Sequence, residues 1–331
     1  MMKSLHALIL LVSSFIATSC SISQQEYQSC DGSIWTTTYH ITYRSKLHLD
    51  DSIFSIFAKV DSTLSPFAPQ SVISLINRNE SLIADSLVKH IFTQSRLFNR
   101  LSNGAFDPTV APLVNLWGFG YTEADSIIIA AKIDSVLNYV GINRCFLRGD
   151  SIIKPHPETQ FNFSAITKGY ACDLIADMLR RNGCEDFMVE IGGEISLSGV
   201  NRQNSPWHVM VEAPVDNDTT LLRHAMEVIE LSNCGIATSG NYRNFRMSNL
   251  GRVWHTINAH TGYPAITSTL SATVIAPDAM SADALATACM VLTPDSAIAL
   301  IDRIANTEVM LVTASEQGFI SQRTKGFPTP L

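Results

Sequence analysis

The second half of the chain alternates short β-like runs with helical segments, and this alternation most constrains the fold. Strand-like apolar runs recur at residues 187–191, 207–212, 253–257 and 271–276, whereas helical periodicity occurs at 167–182 and 281–292. These segments lack the regular strand–helix–strand spacing of a doubly wound parallel sheet. The sequence therefore predicts an α+β fold, a single mixed α/β domain with interleaved strands and helices.

The first half of the chain predicts one strand followed by helices. Residues 35–43 are rich in Thr and Tyr and predict the strand, and residues 51–63 have helical apolar spacing. Residues 86–101 and 123–140 predict two amphipathic helices, with a loop at 104–108 between them.

The N-terminus has the layout of a secretory signal. Lys3 precedes an apolar run, and small residues stand directly before Cys20. The run is about half of the roughly 20 residues that a spanning helix needs. We therefore predict a signal peptide over residues 1–19, a polar linker over 20–30 and one folded domain over 31–331.

Residues 17–20 resemble a bacterial lipobox, in which the mature chain begins at a lipid-carrying cysteine. The resemblance implies lipidation of Cys20 and an exported protein anchored by lipid at the periplasmic face of a bacterial membrane. The alternative is a cleaved signal with an incidental cysteine. The six other cysteines show no C-x-x-C spacing, so we predict buried free thiols.

The charge of the chain bears on its partners. The formal net charge is −7, with 23 Lys and Arg residues and no basic run. A nucleic-acid-binding surface requires a basic patch or stripe. We therefore expect no nucleic acid among the partners.

Residues 278–288 predict a helix of small residues that packs close to a neighbour. Asp283 and Thr287 are four residues apart, so their side chains project from one helix face. A carboxylate and a hydroxyl are hard oxygen donors that suit Mg²⁺. The alternative is a solvated aspartate with a threonine facing the core.

Two further segments could meet a phosphate. Residues 163–173 predict a strand that runs into a helix, where Lys168 could neutralise negative charge; the alternative is a solvated lysine. Gly192 and Gly193 follow an apolar strand, and paired glycines let a ligand approach the backbone closely. They could equally form a tight turn.

Residues 254–264 predict a strand that leads into a turn with two histidines, His255 and His260. A histidine there is a candidate general base, although each could instead be structural. The two are five residues apart with no Cys or Glu beside them, which argues against a zinc site.

Taken in order, these four segments resemble the ApbE family of FAD:protein FMN transferases over residues 35–292. Shorter matches lie at residues 37–39, 64–67, 72–77, 104–110 and 237–242. The resemblance implies that FAD is the substrate and that the domain is a flavin transferase catalytic domain.

The resemblance also implies the site residues. The carbonyl of Ala165, with Asp283 and Thr287, would hold Mg²⁺, or Mn²⁺ in its place, and His255 and Lys168 would be catalytic. Phe67 would lie near the isoalloxazine ring. The residues implied to bind FAD are Thr37, Phe67, Asp107, Lys168, Asp173, Gly192, Gly193, Glu194, Thr238, Ser239 and Gly240.

The implied reaction moves the FMN half of FAD onto a Ser or Thr hydroxyl of a protein through a phosphoester and releases AMP. The implied acceptors are flavin-accepting subunits of membrane redox complexes, such as the Na⁺-translocating NADH:quinone oxidoreductase. A metal-dependent FAD pyrophosphatase that gives FMN and AMP, and a non-enzymatic flavin-binding lipoprotein, remain alternatives.

Four departures from the family pattern involve five positions. Residues 35–36 are Trp-Thr where Met-Gly is frequent, and Phe67 replaces a frequent Tyr, which removes a hydroxyl and keeps the ring. Glu194 replaces a common Asp. Asn258 stands where Asp is usual, so a role that needs negative charge there is lost.

Overall fold

The computed structural model describes residues 26–121, 128–214, 225–241, 245–248, 251–315 and 318–331. Cys20 and the predicted signal peptide lie outside these ranges. Within the ranges, no helix has the length and apolar character needed to cross a membrane.

Strands occur along the whole described chain. They are β1 (Tyr27–Ile34), β2 (Thr37–Arg44), β3 (Phe146–Arg148), β4 (Ser151–Ile153), β5 (Phe187–Ile191), β6 (Glu194–Ser198), β7 (Trp207–Glu212), β8 (Ala225–Leu231), β9 (Gly235–Gly240), β10 (Phe245–Ser248), β11 (Gly251–Trp254), β12 (Thr269–Ala276), β13 (Glu308–Ser315) and β14 (Gly318–Arg323).

The described helices lie before β5 and after β12. They are α1 (Asp50–Leu64), α2 (Val72–Asn77), α3 (Ser86–Leu101), α4 (Ala111–Leu116), α5 (Ala130–Leu137), α6 (Ser164–Arg181), α7 (Ala279–Val291) and α8 (Pro294–Ile301). Short 3₁₀ turns lie at Pro108–Val110 and Ile142–Arg144.

Eight of these strands form one sheet in the order β1-β2-β5-β6-β9-β12-β13-β14. Every neighbouring pair in this sheet is antiparallel. The remaining strands pair as three two-stranded units, β3 with β4, β7 with β8 and β10 with β11. The α+β prediction is therefore confirmed, because the sheet has none of the parallel pairs of a doubly wound fold.

The strands β12 and β13 of the central sheet are buried on both faces, and alternate residues along each point to opposite sides. On β12, Val274 packs in the main core with the helices, whereas Ile275 packs in a second core with the β7–β8 pair. Leu311 and Met310 divide in the same way on β13. The molecule thus has three layers: helices, the sheet and the β7–β8 pair.

A third, smaller core lies beside the two larger ones. It joins α4 and α5 to the segment after β10 through Leu113, Trp117, Ile133, Val253 and Ile257. The indole N–H of Trp117 donates to the carbonyl of Gly262 at 2.8 Å. This core supports the segment that carries His255.

Helices α6 and α7 approach each other unusually closely. A Cβ on Gly169 of α6 would lie 2.2 Å from the carbonyl oxygen of Ala279 at the start of α7, so no larger residue fits there. Helix α7 begins where the Asp278 carboxylate accepts the N–H of Ser281 at 2.7 Å. The prediction of a small-residue helix packed against a neighbour is confirmed.

Several predicted boundaries need correction at the N-terminal end of the domain. Residues 27–30, predicted to be linker, belong to β1, because β1 pairs with β2 along its whole length. Trp35 and Thr36 form the β1–β2 turn and not strand, with φ of 50° and 63°.

Two further predictions concern helices and cysteines. The strand predicted to run directly into α6 is not present, since residues 159–163 are irregular. The helix predicted over 123–140 is described only at Ala130–Leu137, and residues 122–127 lie outside the described ranges.

All six described cysteines are free; five are buried and Cys234 is half-buried.

Candidate active site

A cleft of about 820 Å³ lies where the turns of the central sheet meet the N-terminal half of α6 and one face of α7. Almost all of the predicted site residues line it, although they come from distant parts of the chain. They are Thr37, Phe67, Asp107, Ala165, Lys168, Gly192, Gly193, Glu194, Thr238, Ser239, Gly240, His255, Asp283 and Thr287.

One end of the cleft is formed by the paired helices. Asp283 is 3% exposed, and its Oδ2 accepts the N–H of Gly169 at 3.1 Å. In a regular helix that N–H would donate to the carbonyl of Ala165, four residues earlier. Because Asp283 competes for this donor, the Ala165 oxygen is less committed to the helix. Thr287 lies one turn after Asp283 on the same face of α7.

An ion pair between the half-buried Lys168 and the buried Glu194 lies beside this end. The ammonium group of Lys168 donates to Oε2 of Glu194, whose side chain is 4% exposed. Burial raises the pKa of Glu194, and the charge of Lys168 opposes that shift. Burial also raises the pKa of Asp283. Desolvation lowers the pKa of Lys168, but Glu194 and Asp283 outweigh it and keep the lysine charged.

The charge balance here bears on cation binding. Two buried carboxyl groups, Glu194 and Asp283, face one ammonium group, and burial raises the pKa of both carboxyl groups, so a bound cation would favour their ionised forms. No group of three or more His, Cys, Asp or Glu side chains forms a metal site among the described residues. A cation here would instead be held by the carboxylate of Asp283, the hydroxyl of Thr287 and the carbonyl of Ala165, all hard oxygen donors.

The β9 wall of the cleft presents hydroxyl groups. Oγ of Ser239 lies 3.3 Å from Oγ1 of Thr287, which joins this wall to α7. Oγ1 of Thr238 lies 2.9 Å from Oγ1 of Thr273 on β12. The β5–β6 turn of Gly192 and Gly193 adds exposed backbone next to them. This wall suits the polar groups of a nucleotide.

His255 directly follows β11 on the opposite wall and is half-buried. Its ring meets that of Phe119 edge-on, with 6.4 Å between centroids. The next residue, Thr256, donates its hydroxyl to Oδ1 of the buried Asn241 at 2.8 Å. His255 is thus presented to the cleft from a fixed backbone.

Phe67 stands at the rim. Its side chain is 65% exposed, and its ring meets that of Tyr121 edge-on at 6.2 Å. An exposed aromatic face at the mouth of a cleft can stack on a planar ring.

Asp107 lines the cleft but uses its carboxylate to hold a loop together. Its two oxygens accept the N–H and hydroxyl of Thr109, the N–H of Ile142 at 3.1 Å and the side-chain amide of Asn99 at 3.2 Å. Burial raises its pKa. These four donors give Asp107 a loop-building role, and its contact with FAD stays a prediction.

Asp173, which is predicted to bind the cofactor, does not line the cleft. Its carboxylate accepts the N–H groups of Ala279 and Met280 at 3.0 and 2.8 Å, and so caps α7 from the neighbouring helix. The reason is geometric: Asp173 lies more than one turn beyond Lys168, further along α6 from the end that meets the cleft.

The cleft also includes residues that the motifs did not identify. Phe119, Met210 and Phe245 add apolar surface, and Asn162 adds an amide before α6. The sequence correctly predicted β7 as a strand, but no local signal indicates that Met210 on it reaches this cleft.

The comparisons with known proteins agree with this geometry. The ApbE family model matches residues 35–311, and the chain therefore belongs to the ApbE family. A relative from Vibrio cholerae named FAD:protein FMN transferase is 32% identical, with 97% of each chain covered. One of the same name from Haemophilus influenzae is 31% identical, with 98% of each chain covered.

Solved structures give the same result. The flavin transferase ApbE from Vibrio cholerae superposes with a TM-score of 0.80 at 31% identity, covering 92% of this chain and 98% of that one. The apo form of the Pseudomonas stutzeri flavinyl transferase ApbE superposes with a TM-score of 0.81 at 30% identity, covering 92% and 96%.

The role found for Asp107 predicts a loss of stability on substitution. Asp107→Ala leaves the buried N–H groups of Thr109 and Ile142 without acceptors, so we expect the free energy of unfolding to fall by about 2–4 kcal/mol. Urea unfolding measures this. The exposed Asp150 is the control, and Asp150→Ala should change stability by less than about 0.5 kcal/mol. An Asp107→Ala protein of unchanged stability that no longer binds FAD would instead assign the carboxylate to the ligand.

Proposed function

We propose that this chain is an FAD:protein FMN transferase that works with a divalent cation. The observation that carries the proposal is the meeting of Lys168, Glu194, Asp283, Thr287 and His255 around one cleft. Relatives named FAD:protein FMN transferase, alike over nearly the whole chain, support the same activity here.

The donor set of the cleft fits Mg²⁺, with Mn²⁺ as an alternative. Asp283 and Thr287 would supply side-chain oxygens and Ala165 a main-chain oxygen, beside the buried carboxyl group of Glu194. When bound, such a cation offsets charge on the phosphates of FAD. Lys168 would share this task from the opposite side, held in place by Glu194.

In the proposed reaction, a Ser or Thr hydroxyl of the acceptor protein attacks the phosphorus atom of the FMN half. A bond from the acceptor oxygen to phosphorus forms, the pyrophosphate bond to phosphorus breaks, and AMP leaves. A neutral hydroxyl is a poor nucleophile, so His255 accepts its proton as the bond forms. The Gly192–Gly193 turn and the hydroxyls of Thr238 and Ser239 position the dinucleotide.

Incubation of the purified protein with FAD, Mg²⁺ and a Ser- or Thr-bearing peptide from a flavin-carrying redox subunit tests the activity. We expect fluorescent flavin that stays on the peptide through denaturing electrophoresis, with one AMP released per flavin transferred. FMN and AMP in solution with an unlabelled peptide would indicate a pyrophosphatase. Unchanged FAD would contradict both enzymatic functions and favour a flavin-binding protein.

The His255→Ala variant is the mechanistic control for this assay. Loss of a general base slows proton transfer, so flavin transfer should fall by about 10²- to 10⁴-fold while FAD affinity changes little. If transfer and affinity fall together, His255 positions the ligand and the assignment as base is wrong.

The cation assignment predicts the behaviour of Asp283→Asn. The amide keeps an acceptor for the N–H of Gly169 but removes the negative charge, so the fold should persist while Mg²⁺-dependent turnover is lost. Thermal unfolding measures the fold, and the peptide assay measures turnover. Titration calorimetry with Mg²⁺ or Mn²⁺ measures the loss of cation binding. Asp295→Asn, at an exposed position on α8, should leave turnover intact. Full activity of Asp283→Asn would refute the assignment.

We also propose that the protein is exported and held by a lipid on Cys20 at the periplasmic face of the membrane. Flavin-accepting subunits of membrane redox complexes would then be its acceptors. The layout of residues 1–20 supports this. Because β1 begins at Tyr27, chain length limits the distance from Cys20 to the sheet to about 25 Å.

The lipid predicts a change in fractionation. Cys20→Ser removes the thiol that would carry the lipid, so the protein should move from the membrane to the soluble exported fraction when expressed in bacteria. Cys234→Ser changes a half-buried thiol of the folded domain and should leave the protein in the membrane. Membrane retention of Cys20→Ser would contradict the lipid anchor.

A further inference from the structure

His260 connects two turns that are far apart in sequence and that lead into the wall of the cleft. Its Nε2 lies 2.8 Å from the carbonyl oxygen of Asn103. A carbonyl oxygen can only accept a hydrogen bond, so Nε2 carries the proton and donates. The bond therefore joins the turn after His255 to the turn after α3.

The imidazole also packs against Gly104. A Cβ on Gly104 would lie 2.7 Å from both Cε1 and Nε2 of His260, and the φ of Gly104 is +83°. Asn103 is left-handed as well, with φ of 50°. Only glycine fits the second position of the Asn103–Gly104 turn, because a side chain there would collide with the imidazole of His260.

His260 is itself held in place. Oδ1 of Asn258 accepts its N–H at 2.8 Å, and the N–H of Asn258 donates to the carbonyl of Tyr263 at 2.9 Å. The indole of Trp117 anchors the same turn through Gly262. The hydrogen bonds that hold the turn of His260 therefore also hold the segment of His255, five residues earlier.

The loop that His260 contacts leads directly into the cleft wall. Residues 105–108 follow the Asn103–Gly104 turn, and all four line the cleft. On the inner side, α3 holds this loop: Asn99 accepts the N–H of Gly104 at 2.7 Å and donates to the carbonyl of Phe106 at 2.8 Å. His260 holds it from the outer side.

We propose that His260 is a positioning residue that fixes residues 105–108 relative to His255 and thereby shapes the cleft for FAD. It does not itself line the cleft, so it acts through the loop. The inference rests on the proposed function in taking FAD as the ligand. Loss of one such hydrogen bond should weaken FAD binding by about five- to tenfold.

Three variants test the proposal with two readouts. His260→Ala removes donor and ring, His260→Gln keeps an N–H donor, and His40→Ala removes an exposed histidine with a hydrogen bond of 2.9 Å to Asp31. Hydrogen–deuterium exchange of residues 99–108 without ligand reports the loop, and flavin fluorescence titration gives the FAD dissociation constant. We expect faster exchange and weaker binding in His260→Ala, substantial recovery in His260→Gln, and neither effect in His40→Ala.

Unchanged exchange of residues 99–108 in His260→Ala would overturn the proposal, as would equal losses in the Ala and Gln variants. Neither readout requires an acceptor protein. A chain that binds FAD but transfers no flavin would refute the proposed function and leave this test valid. Unchanged exchange in an active His260→Ala enzyme would refute the positioning role alone.

Discussion

The close approach of α6 and α7 is the contact on which the proposed cation site of the cleft depends. Gly169 leaves no side chain between the helices, so the backbone of α6 comes within reach of Asp283. That approach puts the first turns of α6, with Ala165 and Lys168, beside the face of α7 that carries Asp283 and Thr287. Asp173 reinforces it by capping the start of α7 from α6. A larger residue at 169 would separate the candidate donors.

The same contact brings two buried carboxyl groups close together. Removing a carboxylate from water is costly in free energy, and a second negative charge nearby raises that cost. The half-buried ammonium of Lys168 donates to Glu194 and is the nearby positive charge for Asp283, which also accepts one backbone N–H. If these groups served only the stability of the fold, apolar side chains packed in the same volume would stabilise it as well or better. The arrangement is consistent with a pocket whose charge is completed by a bound cation and a polyphosphate ligand.

The sequence predicted local and ordered features well. The small-residue helix with Asp283 and Thr287, the α3 helix at 86–101 and the β5 and β7 strands all follow from periodicity. The sequence could not predict which distant residues come together in the folded chain. Asp173 lies in the same motif as Lys168, and only the helix geometry separates their roles. Met210 and Phe245 reach the cleft from two small hairpins, whose position depends on the packing of the second and third cores.

The Asn258 departure shows how a family pattern can change while its physical role remains. The position usually holds Asp, which would bring a negative charge near His255. Here the side-chain oxygen of Asn258 accepts the N–H of His260 at 2.8 Å and that of Thr261 at 3.3 Å, and an amide oxygen makes these bonds as well as a carboxylate does. The turn therefore needs an acceptor and not a charge. Because this turn follows His255 and carries the contact of His260 with the Asn103–Gly104 turn, its geometry bears on how His255 faces the cleft.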